Sequence, residues 1–166
     1  LLTRVRDTSH ERLSQGAVIL FGSENASVQY SQCCRPVPGD SIVGYLGRGE
    51  GLVVHTSGCA VAARLKHRDS ERFIAVDWAD EPVRQFETGL VVTVTNRKGV
   101  LARVAADLAQ SEVDITKVDM GEEDQQDTTD LRFVISVRDT AHLDAALRNL
   151  KRTPSVLRAQ RITPHA

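Results

Sequence analysis

Apolar and polar positions alternate most regularly in the second half of the chain. Residues 131–138 (LRFVISVR) place Leu, Phe, Ile and Val at every second position, which predicts a strand buried on one face. The β-branched run at 90–95 (LVVTVT) predicts another strand, covered on at least one face. Residues 113–120 and 155–162 also have the composition of strands. Four strands are therefore expected in this half.

Two segments between these strands carry apolar residues at helical spacing. The first stripe comprises Val100, Leu101, Val104, Ala105 and Leu108. The second comprises Leu143, Ala146, Leu147 and Leu150. Asp139 or Thr140 can cap the second helix, and Thr153-Pro154 ends it. The order is βαββαβ, which predicts a ferredoxin-like sandwich with two helices on one face of an antiparallel sheet.

The first half has shorter elements and predicts a small α+β module. Strands are expected at 26–30, 41–47, 52–55 and 72–78. A helix is expected over residues 58–67, with Thr56 or Ser57 as its cap. At about 50–55 residues, such a module has a marginal core that a covalent or metal link would stabilise.

The acidic, proline-containing segment 77–89 separates the two halves. We therefore predict a helical or linker remnant at 1–19, a small Cys/His α+β module at 20–80 and a βαββαβ domain at 84–166. The chain begins at Leu1, without methionine, in a polar and helix-like stretch. On that basis we expect it to be a fragment of a longer protein.

Composition narrows the classes of function. Hydrophobic residues make up 41% of the 166 residues and aromatic residues 4%, so the cores should be aliphatic. A net charge of −1 gives the whole molecule no attraction to nucleic acid or membrane. The absence of an apolar run of about 18 residues and of a signal-peptide pattern predicts a soluble, cytoplasmic protein with no membrane partner. An odd number of cysteines agrees with a reducing compartment.

Three cysteines and one histidine form the main chemical constellation: Cys33, Cys34, His55 and Cys59. Zinc favours four nitrogen or sulfur ligands, and His-x3-Cys at the start of a helix places two of them about one turn apart. The turn at 36–39 could hold the adjacent pair rigid. A structural Zn²⁺ is therefore one prediction for this module.

Other interpretations of these thiols remain open. Adjacent side chains of a strand point to opposite faces, so Cys33 and Cys34 can reach one metal only if the backbone bends. The cysteines could instead be small buried hydrophobes, with His55 hydrogen-bonded. A Cys33–Cys34 disulfide would close a strained ring. A cysteine nucleophile would work with His55, but no phosphate loop, carboxylate dyad or Ser/His/Asp arrangement accompanies it, and we expect no catalysis.

Two further features suggest binding. The loop NRKG at 96–99 precedes a helix whose free N–H groups suit a carboxylate, although from the residues alone an ordinary tight strand-to-helix turn is the simpler explanation. Basic side chains cluster near the ends of both halves, where they either complement helix dipoles or form a phosphate-binding surface. The candidate RNA contacts are Arg64, Lys66, Arg68, Arg148, Lys151 and Arg152.

The string CCRPVPGDSIVGYLGRGEGLVVHTSGC, followed by a βαββαβ unit containing NRKGVLARVA, closely resembles the C-terminal regulatory region of the Rel/SpoT family. These are long (p)ppGpp synthetase/hydrolases of the stringent response. The resemblance covers residues 20–166. It implies a zinc-finger or RIS domain followed by an ACT domain, with the catalytic domains for pyrophosphate transfer and hydrolysis N-terminal to them.

The family resemblance also implies partners. The region would contact the ribosome and its RNA, restrain the catalytic domains of the same chain and form a homodimer through the ACT domain. In some relatives ACT domains bind a branched-chain amino acid at the loop after the first strand. The corresponding residues are Asn96, Arg97, Lys98, Gly99, Val100 and Leu101, with Asp114 and Ile115 opening the second strand. Asn96 stands where ACT loops often have Asp, so the charge that would pair with a ligand ammonium is missing.

Overall fold

The computed structural model of the chain describes residues 13–15, 18–20, 27–80, 84–121 and 127–162. Its helices and antiparallel and parallel strands confirm the α+β class. In the first half the strands are β1 (Leu13–Gln15), β2 (Val18–Leu20), β3 (Val28–Tyr30), β4 (Ile42–Gly47), β5 (Gly51–Thr56), β6 (Phe73–Ile74) and β7 (Val76–Trp78), and the helix is α1 (Ala60–Arg68). The second half contains β8 (Phe86–Thr95), α2 (Val100–Gln110), β9 (Asp114–Met120), β10 (Thr128–Val137), α3 (Thr140–Lys151) and β11 (Val156–Arg161).

The second half has the predicted ferredoxin-like topology. Its strands are ordered β11-β8-β10-β9, and every neighbouring pair is antiparallel. The alternation along β10 is confirmed, because Leu131, Phe133, Ile135 and Val137 are all buried. These side chains pack with the apolar stripes of α2 and α3 in one core. Asp139, one of the two predicted caps, accepts a hydrogen bond from the backbone N–H of His142 at 2.7 Å.

Among its described residues the first half contains two sheets, whereas the sequence suggested a single set of short strands. One sheet has the order β3-β5-β4-β6, with β3 parallel to β5. The other has the order β1-β2-β7. The predicted strand at 72–78 is interrupted at Ala75, since β6 pairs with β4 whereas β7 pairs with β2. The core between these strands comprises Val18, Leu52, Val54 and Val76.

Two local predictions for this half are wrong. Residues Leu13–Gln15 form a strand and not part of a helix, because they pair with β2, whose Val18 is fully buried; residues 1–12 lie outside the described part. The residue at the N-cap position of α1 is Cys59, two or three residues after the predicted caps. The predicted caps were Thr56 and Ser57. Thr56 ends β5 by pairing with Ile42, which leaves it too early in the chain to cap α1.

The two halves are in direct contact through the Pro-Val-Pro-Gly-Asp turn at 36–40. Val37 is 0% exposed and belongs to the core of the second half. The backbone N–H of Thr140 donates to the carbonyl of Pro38 at 2.8 Å. On the side of the first half, the turn is held by Trp78 of β7, whose indole N–H donates to the carbonyl of Asp40 at 2.9 Å. The turn therefore packs as an extension of the βαββαβ core.

The segment predicted as a separator, 77–89, contains the end of one strand and the start of another, and its residues 81–83 lie outside the described part. Strand β7 continues to Trp78, and β8 begins at Phe86, four residues earlier than the apolar run suggested. Phe86 packs edge-on against both Tyr30 and Trp78, with ring centroids 5.2 Å apart in each pair. These aromatic contacts give the junction a packed interior. Within the described residues, no helix is long and apolar enough to cross a membrane.

Candidate metal centre

Cys33 and Cys34 lie in a turn after β3, which resolves the problem of adjacent thiols. The backbone N–H of Arg35 donates to the carbonyl of Ser31 at 2.9 Å, closing the turn around the pair. Arg35 itself has a φ of 45°, a left-handed conformation that non-glycine residues seldom adopt. Because the side-chain alternation of a strand does not apply here, both sulfurs come within reach of one histidine.

The other two members of the cluster are held by regular elements. His55 lies on β5, directly opposite Val43 of β4. Cys59 lies immediately before the first residue of α1. The sheet and the helix start thus fix two side chains, and the turn brings the other two to them.

The four ligand atoms lie close together, and three of the separations between them match those of a tetrahedral zinc site. Cys33 Sγ lies 3.5 Å from His55 Nδ1 and 3.5 Å from Cys59 Sγ, and Cys34 Sγ lies 3.8 Å from His55 Nδ1. All four atoms lie within 4.8 Å of one another. Zinc with sulfur at about 2.3 Å and nitrogen at about 2.0 Å separates its ligand atoms by about 3.5–3.8 Å. The cluster Cys33, Cys34, His55 and Cys59 can therefore hold a metal ion.

The electrostatics of the cluster differ from one member to the next. Burial lowers the pKa of His55, which keeps its imidazole neutral and able to ligate. Burial raises the pKa of the Cys34 thiol to about 11. Burial also opposes ionisation of Cys59, but hydrogen bonds from the backbone N–H of Ala62, from Cys33 and from the N–H of Val61 outweigh it and lower that pKa. Cys59 thus gains thiolate character from its position at the start of α1.

Nearby groups orient the sulfurs. The hydroxyl of Ser31 lies 2.8 Å from Cys33 Sγ. The backbone N–H of Thr56 donates to Cys34 Sγ at 3.3 Å. Cys34 and Cys59 also pack with Ala62 in a small apolar cluster, so both sulfurs are in part small buried hydrophobes, as the alternative interpretation expected. Sequence reasoning missed Ser31, although its place two residues before Cys33 is the signal that could have indicated it.

The predicted ACT loop has the conformation of a tight turn at the start of α2. Gly99 precedes α2 with a φ of 79°, in the left-handed region. Asn96, Arg97 and Lys98 are exposed, Leu101 is half-buried and Val100 is buried in the core. The backbone N–H of Asn96 donates to the carbonyl of Asp127 at 2.9 Å, which ties the loop to the start of β10.

Within one chain the structure does not bring Asp114 and Ile115 to this loop, and ligand binding by these residues stays a prediction. In the strand register, Asp114 is opposite Ser136, which is opposite Glu87 near the start of β8. The loop follows Thr95 at the other end of the same strand, about 26 Å away at about 3.3 Å per residue. The cause is topological: α2 runs back along the sheet, so β9 starts beside the start of β8.

The candidate RNA contacts form two separate exposed groups. Arg64, Lys66 and Arg68 lie on α1, and the last turn of that helix contains Lys66 and Arg68. Arg148, Lys151 and Arg152 lie at the end of α3. Arg68 is also paired with Asp69, at 3.1 Å. Both groups sit where cations complement the negative end of a helix dipole.

Each half of the chain matches a known protein family. Residues 18–79 match the RelA/SpoT RIS domain, and residues 82–161 match an ACT domain. The chain is 30% identical over 149 residues to the bifunctional (p)ppGpp synthase/hydrolase SpoT of Escherichia coli strain K12, with 89% of this chain and 21% of that protein covered. It is 27% identical over 147 residues to a GTP pyrophosphokinase of the same strain, covering 89% and 20%.

Among solved structures, the ACT domain from the GTP pyrophosphokinase of Chlorobium tepidum is similar to 47% of this chain, with 99% of that domain covered, 15% identity and a TM-score of 0.41. The fold assignment rests on the strand order and the family match. The chain thus consists of a Cys/His-containing α+β domain joined to an ACT domain. With its RIS and ACT domains matched in this order, it belongs to the RelA/SpoT family, and it spans about a fifth of the length of the curated relatives named above.

Proposed function

We propose that the chain is the regulatory C-terminal region of a bifunctional (p)ppGpp synthetase/hydrolase, working in the cytoplasm and without catalysis of its own. The main support is the docked pair of domains: a RIS domain whose turn at 36–40 is packed into the core of an ACT domain. Relatives named as (p)ppGpp synthases, hydrolases or GTP pyrophosphokinases align over this region. In this proposal, the pair restrains the N-terminal catalytic domains of the parent chain.

The test uses the full-length protein, because only that contains catalytic domains. The carboxylate of Asp40 accepts two hydrogen bonds from Arg161 of the last ACT strand. Asp40→Ala removes this link between the two domains and is expected to change the ratio of (p)ppGpp synthesis to hydrolysis without ribosomes. Asp144→Ala, at an exposed position on α3, is the matched control. Equal ratios in the wild type and both variants would contradict control of catalysis through the docked pair.

The Cys/His cluster is proposed to hold a structural Zn²⁺. The support is its set of one nitrogen and three sulfur donors, whose four ligand atoms all lie within 4.8 Å of one another. Metal analysis of the reduced, purified chain should give one zinc per chain, and Cys59→Ser should lower that content, with Ser57→Ala as a control that leaves it unchanged. Structural zinc contributes roughly 10–16 kcal/mol to folding in zinc-finger peptides, so chelation should unfold the RIS half first.

Ribosomal RNA is the proposed partner of the exposed cations on α1. Binding should weaken steeply with salt, because each phosphate contact releases counterions. Arg64→Ala combined with Arg68→Ala should weaken ribosome binding and flatten that salt dependence. Lys117→Ala, an exposed cation on β9, is the matched control. An unchanged affinity in the double variant would count against this surface.

An alternative function is sensing of a branched-chain amino acid by the ACT domain. The exposed loop with left-handed Gly99 at the start of α2 favours it, since the free N–H groups there suit a carboxylate. Because Asp114 and Ile115 lie at the far end of the sheet, a complete site would need a second copy, which agrees with a homodimer formed along the edge strand β9. Calorimetry with valine or isoleucine at millimolar concentration separates the two functions: no heat rejects the sensor.

A further inference from the structure

The three thiols differ in access to solvent. Cys33 is exposed, whereas Cys34 and Cys59 are buried. Cys33 lines two clefts, one of about 800 Å³ beside His55 and one of about 230 Å³ beside Lys117 of the ACT domain. A small oxidant can therefore reach Cys33 before it reaches either of the other thiols.

The sulfur best placed to react next is that of Cys59. Cys33 Sγ and Cys59 Sγ are 3.5 Å apart, so they must move together by about 1.5 Å to reach disulfide length. Cys34 is a poor partner for Cys33, because a disulfide between adjacent residues closes a strained ring. Cys34 Sγ is also held by the N–H of Thr56 and by its place beside His55.

We propose that Cys33 and Cys59 are a peroxide-sensitive pair that closes to a reversible disulfide. The sulfur of Cys33 attacks one oxygen of hydrogen peroxide, the O–O bond breaks and water leaves, giving a sulfenic acid. The sulfur of Cys59 then attacks Cys33 Sγ, the S–O bond breaks and a second water leaves. Two thiols and one peroxide thus give one disulfide and two waters, with sulfur oxidised and oxygen reduced.

Closure of this bond has two structural consequences. It removes two of the four metal donors, so a bound ion loses half of its ligands. It also changes the turn that leads directly into residues 36–40, which are docked in the ACT domain. Arg35, two residues after Cys33, uses its carbonyl to accept a hydrogen bond from Arg161 Nη2 at 3.0 Å. Oxidation in the RIS domain is therefore transmitted to the ACT domain through this short segment.

This inference concerns the thiols of the chain itself and does not depend on the parent enzyme. The test treats the reduced, zinc-loaded chain with one equivalent of hydrogen peroxide, followed by intact mass measurement and non-reducing peptide mapping. We expect a mass loss of about 2 Da, the two thiol hydrogens, a Cys33–Cys59 linkage and zinc release at the same rate. Dithiothreitol should restore the thiols and zinc binding.

Two cysteine variants and the linkage map of the wild-type chain test which pair of thiols forms the disulfide. Cys34→Ser should retain most of the disulfide, and Cys33→Ser should lose it. If either variant fails to fold, the wild-type linkage map still decides. A Cys33–Cys34 linkage, a random mixture of the three pairings, intermolecular disulfides only, or sulfinic acid without a disulfide would each overturn the proposal. A chain that contains no zinc but forms the Cys33–Cys59 bond would contradict the zinc site alone.

Discussion

Arg161 donates two hydrogen bonds to the carboxylate of Asp40. Its Nη1 lies 2.8 Å from Asp40 Oδ1, and its Nη2 lies 2.7 Å from Oδ2, across a separation of 121 residues in sequence. Both side chains are mostly buried. The Nε atom of Arg161 also donates to the hydroxyl of Thr88 at 3.1 Å. This bidentate pair joins the last strand of the ACT domain to the turn at 36–40, which directly follows the turn that contains Cys33 and Cys34.

Arg161→Lys should destabilise the docked state by about 1–3 kcal/mol, because an ammonium cannot reproduce the two parallel hydrogen bonds of a guanidinium. Urea unfolding of the chain measures the loss. Arg158→Lys, at an exposed position on the same strand, should change the free energy of unfolding by less than about 0.5 kcal/mol. Equal stability in the two variants would mean that the pair adds nothing to the junction.

Val37→Ala should lower the free energy of unfolding by about 2 kcal/mol, since it removes buried carbon from the ACT core and leaves a cavity. The half-buried Val91→Ala is the matched control and should cost less. Hydrogen exchange locates the effect: amides of β8 and β10 should exchange faster in Val37→Ala, although the substitution lies in the RIS domain. Unaltered exchange in these two strands would contradict the packing of Val37 in that core.

Zinc binding near pH 7.5 should release a proton from Cys34, because burial raises the pKa of that thiol to about 11 and it is protonated in the free chain. His55, whose pKa is lowered by burial, is already neutral and should release none. Apparent affinity should rise about tenfold per pH unit for each proton released. Calorimetry in buffers of different ionisation enthalpy counts the protons. Cys34→Ser should release about one fewer, and an unchanged count would contradict the assignment.

Gly99→Ala should destabilise the ACT domain by about 1–2 kcal/mol, the cost of placing an L side chain in the left-handed region. The loss would not come from a steric clash, because a Cβ at this position would meet no atom within 4 Å. Gly58→Ala is the matched control: its Cβ also meets nothing, and its backbone is outside the left-handed region. Thermal unfolding compares the two. Similar losses in both would show that conformation at Gly99 is not what matters.

The local pattern of apolar and polar residues was sufficient to predict most elements of the ACT domain. The alternation from Leu131 to Val137 and the two apolar stripes predicted β10, α2 and α3, because burial against one sheet face imposes a periodicity that is visible in a few residues. The candidate metal ligands could also be identified from the sequence, because cysteine and histidine are rare residues. These ligands are Cys33, Cys34, His55 and Cys59. The local pattern did not predict the strand at Leu13–Gln15 or the interruption of the 72–78 strand at Ala75. The short strands there are determined by their pairing with other strands.

The sequence alone thus determined the order of the elements in the ACT domain and the residue types of the metal cluster. Only the tertiary structure decided which of these residues lie next to one another. The left-handed Arg35 turns two adjacent thiols to one side, the return of α2 separates Asp114 from the loop at Asn96, and the turn around Val37 becomes part of another domain's core. The docking of the turn around Val37 depends on contacts between residues far apart in the chain, such as Arg161 with Asp40, and such contacts leave no periodic trace in the local sequence.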